Sequence, residues 1–425
     1  MSEVVIVGMG FGGIAAAHTL GNKEGVHVTV IDRRNYHLFQ PLLYQVATAG
    51  LDQDSIIYPI RAVVRRWRNV DFVYGNVTAL DLEGQVVHTD DGEHRVDHRY
   101  DYLILAGGSE TNFYGMEAVE GAAFRLKSLQ DSVLLLNHIL SMFEEARHIT
   151  DEQERAELLT FVVVGAGATG VELCGALSEL IQHSLCIDFA DECEEARIVM
   201  VEAMDSVLPM MPASLQRYTK QRLERLGVEV LLNRTVTTAD EHSVTFKDGS
   251  SIRTRTLVWS AGVKAVSLAG MLPTARGGAG RVRVRPDLSI PEKDNVFVIG
   301  DMTYLEDASG ECLPMVAPVA KQEGEYVGRL IVQRERGGAG APARPFRYTD
   351  RGFMAIIGRF AAVANPYGIN MKGFFAWLAW LGLHLLFLVG FRNRLIAMLN
   401  WVYAYIFRDP KVRVITSEGP DVGRE

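Results

Sequence analysis

The sequence predicts an α/β protein built from two copies of one strand–turn–helix unit, with an apolar helical module at the C-terminal end. Three observations carry this reading. A G-x-G-x-x-G run, Gly8-Met9-Gly10-Phe11-Gly12-Gly13, follows the apolar stretch Val4-Val5-Ile6-Val7. A second, Gly165-Ala166-Gly167-Ala168-Thr169-Gly170, begins 157 residues later and follows Phe161-Val162-Val163-Val164. Residues 373–391 then form a run of nineteen with no formal charge until Arg392.

The glycine runs have a specific chemistry. Free N–H groups and the dipole at a helix N-terminus favour a pyrophosphate. The first glycine allows the tight turn, the second lets phosphate approach the backbone, and the third lets helix and strand pack closely. After Gly13 the residues Ile14-Ala15-Ala16-Ala17-His18-Thr19-Leu20 suit a helix, and the next apolar strand, Val28-Thr29-Val30-Ile31, ends at Asp32. An acidic residue about 20 positions past the glycines suits a ribose hydroxyl. The second unit repeats the pattern, with a helix expected from about Val171 and the strand Ile198-Val199-Met200-Val201 ending at Glu202. The longer gap implies an extended helix or insertion. Glu202 would repel a 2′-phosphate, which predicts NADH over NADPH. Two such units imply two dinucleotides held at once, and electron transfer is the usual reason to hold both.

The remaining elements place the two units as interleaved Rossmann-like domains. Strand signals continue at Phe72-Val73-Tyr74, Gly75-Asn76-Val77 and Gln85-Val86-Val87-His88. Tyr100 to Gly108 is an apolar strand running into small residues at Ala106, which bring backbone close to a nucleotide. A long helix is expected over Ser128 to Arg147, and Thr256-Leu257-Val258-Trp259 runs into Ser260-Ala261-Gly262-Val263. Asn295 to Asp301 reads as a strand whose Gly300-Asp301 end lies at the sheet's carboxyl edge, where α/β sheets bind ligands. The expected domains are therefore 1–125 with 265–333, then 126–264, a linker at 334–345, and a C-terminal module at 346–425.

Composition narrows the class. Hydrophobic residues are 48% and charged residues 22% of the chain, which fits an ordinary globular protein. The net charge of −9 argues against a nucleic-acid partner. Cys174, Cys186, Cys193 and Cys312 form neither C-x-x-C nor a zinc spacing with histidine, so reduced thiols and no metal site are expected. The first strand begins at residue 4, so no targeting segment is read ahead of it.

The tail changes character. The run Gly373 to Phe391 has the length of a bilayer span, and a second, Leu395 to Phe407, has thirteen residues. Lys372, Arg392, Arg394, Arg408, Lys411 and Arg413 flank them, with Trp377, Trp380, Trp401, Tyr403 and Tyr405 as interfacial aromatics. A monotopic anchor on an anionic lipid surface accommodates both runs. A single span and a buried or dimer-interface helix are the other two readings.

These residues together resemble a known family. Asp32-Arg33-Arg34-Asn35-Tyr36-His37-Leu38-Phe39-Gln40-Pro41-Leu42-Leu43-Tyr44-Gln45-Val46-Ala47-Thr48 is similar to a segment of type II NADH dehydrogenases, the single-subunit NADH:quinone oxidoreductases. Gly165 to Glu172, Trp259 to Gly262, Ile299-Gly300-Asp301 and Gly382 to Arg394 extend the likeness over nearly the whole chain. The resemblance implies non-covalent FAD on the first unit, NADH on the second, a membrane quinone as acceptor, a homodimer, and a place on the cytoplasmic face of the cell membrane. For FAD it implicates Gly8, Gly10, Gly12, Gly13, Asp32, Arg33, Thr48, Val77, Ala106, Asp301 and Ala317. For NADH it implicates Gly165, Gly167, Thr169, Gly170, Glu172, Glu202, Ala261 and Gly262. Many members carry Ala-Gln-x-Ala near the quinone. Here Pro318 stands at the glutamine position and offers neither a side-chain donor nor a backbone N–H. Lys321 or Gln322 are the replacements to consider, beside a plain surface role for each.

The implied chemistry asks little of side chains, since the cofactors carry it. Quinone reduction consumes two protons, and Glu172 is the expected relay, against the simpler reading of a helix-start carboxylate stabilised by the dipole. No set of spans with buried carboxylates suggests a proton channel, so electron transfer without pumping is expected. A sulfide:quinone oxidoreductase needs a reactive cysteine pair near the flavin, and a disulfide reductase needs a pair such as C-x-x-C. An NADH-responsive flavoprotein acting through binding partners, like relatives of apoptosis-inducing factor, is the third alternative.

Overall fold

The computed structural model describes residues 1–90, 92–338, 344–407 and 414–416. The chain divides into two compact units. One comprises Met1–His37, Tyr58–Glu110 and Val263–Asp350; the other comprises Leu38–Ile57, Thr111–Gly262 and the described residues from Arg351 onward.

In the first unit six strands form one sheet in the order Ser289–Ile290, Lys293–Val298, Tyr102–Leu105, Ser2–Val7, Val26–Asp32, Val70–Tyr74. Every neighbouring pair is parallel except Ser289–Ile290 with Lys293–Val298. A parallel sheet is covered on both faces, so its central strands are apolar throughout rather than alternating. Val4, Val5 and Ile6 are accordingly all buried. Strand Ser2–Val7 has Val26–Asp32 on one side and Tyr102–Leu105 on the other, so the strand order reverses beside it. That switch point is where doubly wound sheets take ligands, and the helix Phe11–Leu20 begins there. The strands Asn76–Asp81, Val86–Asp90 and Arg95–Arg99 form a separate antiparallel sheet.

The second unit repeats the plan with four parallel strands in the order Val228–Leu231, Arg197–Val201, Thr160–Val164, Thr256–Trp259. Its fingerprint helix is Ala168–His183, starting three residues before the expected Val171 because Gly167 already serves as N-cap. The long gap before the next strand is filled by this sixteen-residue helix and the short helix Ala190–Glu195. Helix Leu129–Ala146 opens on a capping box in which Ser128 and Asp131 satisfy each other's N–H groups. A small antiparallel sheet, Met354–Gly358, Ala361–Ala364 and Met371–Gly373, lies against the fingerprint helix. The approach is so close that a Cβ on Gly175 would stand 1.8 Å from the Ile357 carbonyl oxygen. Gly175→Ala should therefore cost about 1–3 kcal/mol through overpacking. A thermal midpoint equal to that of the unaltered protein would contradict this.

Three expectations meet a different grouping. Residues 111–125 fall in the second unit and not the first. Residues 38–57 pack with the second unit, because helix Leu43–Ala47 lies on helices Leu129–Ala146 and Ala168–His183. The residues from Arg351 onward also group there rather than standing apart. Sequence order places segments along the chain, but the packing partner of a short helix is a tertiary property.

The nineteen-residue apolar run is not one helix. Helix Phe374–Phe387 ends at Leu388, and a second helix, Phe391–Phe407, starts after Gly390, whose φ of 92° favours glycine. Arg394 reaches back to donate to the carbonyls of Leu386 and Leu388, satisfying the end of the first helix. Fourteen residues span only about 21 Å against a hydrocarbon core of about 30 Å. Among the described residues no helix is long and apolar enough to cross a membrane. Three of the expected interfacial aromatics also turn inward: Trp377, Trp380 and Trp401 are buried. Each indole N–H has found a partner inside the unit, on Tyr405, Glu172 and Gln45 respectively. Arg408, Lys411 and Arg413 lie outside the described residues.

Candidate active site

In the first unit the turn after Ser2–Val7 has the geometry its glycines require. Gly8 has φ 97°, and a Cβ there would stand 2.4 Å from the Ala106 carbonyl oxygen. A Cβ on Gly13 would stand 1.9 Å from the oxygen of Gly8, so the helix begins directly against its own strand. Gly10 has no atom within 4 Å of that position, which leaves the turn open on the side a phosphate approaches. The helix has no side-chain N-cap and no acidic residue in its first turn, so nothing competes for its free N–H groups. Asp32 accepts from the Met9 N–H at 2.7 Å and the Arg34 N–H at 2.8 Å. Burial raises its pKa, and the two N–H groups oppose the rise. Gly12 faces Ala320 and Ile299, while Arg33 is exposed and Val77 packs beside the sheet core. Asp301 accepts from the Ser109 hydroxyl at 2.5 Å.

The sequence reading missed Glu323 in the same unit. It lies on helix Ala317–Gln333, fully buried, and its Oε2 accepts from the Gly300 N–H at 2.5 Å. Its Oε1 is buried with no protein partner. Burial pushes its pKa up to about 8, which favours the protonated form near pH 7 beside Gly300-Asp301. A glutamate six positions beyond Ala317 in an amphipathic helix resembles any surface residue until packing is known.

Two of the three expected quinone contacts, Lys321 and Gln322, have partners within this unit. Pro318 is exposed in the first turn of helix Ala317–Gln333. Lys321 pairs with Glu325 at 4.0 Å, and Gln322 exchanges two hydrogen bonds with the backbone of Thr349 at 3.0 Å each.

The second fingerprint copies the first closely. Gly165 has φ 102°, and a Cβ on Gly170 would stand 1.9 Å from the oxygen of Gly165. Gly167 is open like Gly10, and Thr169 is exposed beside it. Glu202 accepts from the Ala166 N–H at 2.7 Å and the Met204 N–H at 2.9 Å, matching the two bonds of Asp32. Ser260 donates to the oxygens of Val164 and Gly165, fixing the neighbouring strand end that leads into Ala261 and Gly262. Gly262 has φ 105° and faces the Tyr114 hydroxyl, whose oxygen a Cβ would meet at 2.2 Å.

One turn into the same helix, Glu172 departs from a simple helix-start carboxylate. It is buried, and its Oε1 accepts from the Trp380 indole N–H at 3.2 Å and the Ile356 N–H at 3.3 Å. Burial raises its pKa to about 8. Both donors point at Oε1, so the proton of the neutral acid sits on Oε2. Glu172 lines a cavity of about 110 Å³ with Tyr44, Thr48, Glu179, Trp401 and Tyr405 among its walls. Thr48 is thus in the second unit, donating to the Tyr44 carbonyl at 2.8 Å, whereas the other residues of the expected flavin set are in the first. Trp401 donates to the Gln45 Oε1 at 2.8 Å, and the Gln45 amide nitrogen donates to the Tyr44 hydroxyl, also at 2.8 Å. Of this segment the sequence predicts a site role for Thr48 alone, whereas Tyr44 and Gln45 also line the cavity. Tryptophans in the tail, each with an indole N–H that needs an acceptor, were the signal available. The four cysteines are free thiols, and none lines this cavity.

Comparison with known proteins identifies the family. The family described as pyridine nucleotide-disulphide oxidoreductase matches residues 2–324. The type II NADH:quinone oxidoreductase Ndh of Mycobacterium tuberculosis is 42% identical over 95% of this chain and 88% of its own length. The NdhA protein of the same organism is 39% identical over 98% and 90%. Among solved structures, NDH2 from Plasmodium falciparum in complex with NADH superposes with a TM-score of 0.90, at 19% identity, over 97% of this chain and 99% of that one. The sulfide:quinone oxidoreductase of Aquifex aeolicus gives 0.73 at 17% identity over 97% and 96%, a likeness of fold alone. With a matching family over three quarters of its length and a near-full-length relative, this chain belongs to the pyridine nucleotide-disulphide oxidoreductases and, within them, to the type II NADH:quinone oxidoreductases.

Proposed function

We propose that the protein is an FAD-dependent NADH:quinone oxidoreductase that works at the membrane surface without pumping protons. The observation that carries this is the duplicated cradle: two open glycine turns, each with uncapped helix N–H groups and a carboxylate tied to the turn. FAD would be held by Gly8, Gly10, Gly12, Gly13 and Asp32, with Arg33, Val77, Ala106, Asp301, Ala317 and Thr48 as further contacts. The orphaned buried oxygen of Glu323 and the open face of Gly10 fit a polar, anionic group there. When bound, the flavin supplies the redox chemistry, accepting a hydride from NADH and passing two electrons to a quinone. NADH would rest on Gly165, Gly167, Thr169 and Gly170, with Ala261 and Gly262 near the nicotinamide.

The protein's own chemical contribution is a proton. With its pKa raised to about 8, Glu172 favours the neutral acid near pH 7, and it lines the cavity. After donation, the indole of Trp380 and the N–H of Ile356 remain to stabilise the carboxylate. Gln322 is tied to the Thr349 backbone and has no acidic proton to give, and the donor assigned here is the buried acid Glu172.

Glu202 sets the nucleotide preference. One of its oxygens is fixed on the glycine turn through Ala166 and the other on the Met204 N–H, and a 2′-phosphate would bring like charge to it. The ratio of kcat/KM for NADH over NADPH should exceed about 100, and Glu202→Gln should narrow it about tenfold by removing the repelling charge. Equal use of both nucleotides by the unaltered protein would contradict the assignment.

The tail helices form the anchor. Phe374, Phe375, Leu378, Leu386, Phe391, Leu399 and Val402 are exposed apolar side chains on helices too short to span. They suit burial in one leaflet of a cell membrane, on its cytoplasmic face, with Arg392 and Lys372 at anionic headgroups. The protein is expected to act as a homodimer. The functional reading as a whole is tested by NADH oxidation in the presence of FAD and a short-chain quinone. Quinone-dependent turnover supports it, and NADH oxidation indifferent to quinone contradicts it.

A further inference from the structure

We propose that Glu179 and His183 carry protons from solvent to Glu172, so that one face of the second fingerprint helix is the proton-entry path for quinone reduction. The proposal rests on the functional reading above and deepens it. The stoichiometry of that reading, NADH + H⁺ + quinone → NAD⁺ + quinol, takes one net proton from solution and delivers two to the quinone oxygens. A buried Glu172 can give one proton, and it must then be recharged from outside.

The helix provides the route. Residues 172, 176, 179, 180 and 183 follow the spacing of one helical face, and all five line the same cavity as Tyr44 and Tyr405. Exposure rises along this face: Glu172 is buried, Glu179 is partly buried and His183 is exposed. Seven residues separate the two carboxyls and four separate Glu179 from His183, or roughly 10 Å and 6 Å of helix rise. The cavity of about 110 Å³ has room for a short file of waters, each needing about 10–15 Å³ of such space. Waters of that kind find partners in the Tyr44 and Tyr405 hydroxyls and in the carboxyls themselves.

Glu179 stands between the other two on this face, partly buried in the wall of the cavity. Its Oε1 accepts from the Arg359 N–H, and the guanidinium groups of Arg359 and Arg222 favour its ionised form. Burial outweighs them and raises its pKa from the ordinary carboxylate value. The charged and titratable groups facing the path are therefore Tyr44 from the Leu43–Ala47 helix, Arg222 and Arg359 from the flanking elements, and Tyr405 from the tail. In each cycle the Glu172 O–H bond breaks as a quinone O–H bond forms. A proton from Glu179 then passes along the waters to Glu172, and Glu179 regains one through the His183 imidazole from solvent. No electron moves in these steps.

The test compares two electron acceptors in the full-length, FAD-loaded protein. A short-chain quinone takes electrons with protons, whereas ferricyanide takes electrons alone. Glu179→Gln keeps an acceptor for the Arg359 N–H but cannot pass on a proton. The ratio of quinone to ferricyanide turnover should fall about tenfold, less than the 10²–10⁴ of a direct proton donor, and the solvent deuterium isotope effect on quinone turnover should rise. His183→Gln should lower the same ratio about threefold, with recovery on adding imidazole, as expected for a proton carrier at the entrance. An unchanged ratio in Glu179→Gln overturns the path, and so does an equal loss with both acceptors, which assigns Glu179 to holding the Arg359 loop. Absence of quinone turnover in the unaltered protein would instead overturn the functional reading, and the path with it.

Discussion

Glu172→Gln should lower quinone turnover about 100-fold or more while leaving reduction of the bound flavin by NADH within a few-fold, the loss expected when a general acid is removed. Glutamine is a sharp replacement here because its carbonyl oxygen can still accept from Trp380 and Ile356, so the surrounding packing has no reason to change. What it lacks is a transferable proton. The same assignment fixes the sign of the pH dependence. The pKa of Glu172 is raised to about 8, so the donor form predominates below that value and is lost above it. Quinone reduction by the unaltered protein should fall as pH rises through about 8, and the variant should show no such step. Quinone turnover within twofold of the unaltered protein in Glu172→Gln would remove the residue from the mechanism.

Gly13→Ala and Gly170→Ala should give opposite phenotypes from identical clashes. In each case the new Cβ would stand 1.9 Å from a carbonyl oxygen of the preceding turn. Backbone cannot yield as a side-chain tip can, so the turn must open and its N–H groups move off the phosphate. Gly13→Ala should be purified without most of its flavin absorbance. Gly170→Ala should keep its flavin but raise the KM for NADH by about 10- to 100-fold, equivalent to roughly 1.4–2.8 kcal/mol. If Gly170→Ala lost flavin and Gly13→Ala kept it, the two nucleotides would have been assigned to the wrong turns.

Local signals in the sequence carried much of this architecture. Both fingerprints, the flanking apolar strands and the carboxylates at Asp32 and Glu202 follow from chemistry that acts within about 40 residues, and strand and helix appear where the glycines require them. The Glu172 cavity was not legible in the same way. Tyr44, Gln45, Glu172, Trp380 and Trp401 come from four separate stretches of chain, and only packing joins them. The tail shows the limit most plainly. Trp377, Trp380 and Trp401 have the composition of an interfacial belt, yet each indole donates to a group inside the unit. Nor does a charge-free run reveal that Leu388 to Gly390 breaks it. Glu323 lay hidden for the converse reason: nothing in a helical glutamate announces burial beneath Gly300.

The most direct test is a rapid-mixing experiment on the FAD-loaded, detergent-solubilised protein, following flavin absorbance first with NADH alone and then on addition of a short-chain quinone. Fast bleaching by NADH and fast recovery with quinone are the predicted results. Bleaching without recovery would contradict a quinone as the acceptor. Failure of NADH to bleach the flavin would contradict the reading of the second glycine turn on which the account depends.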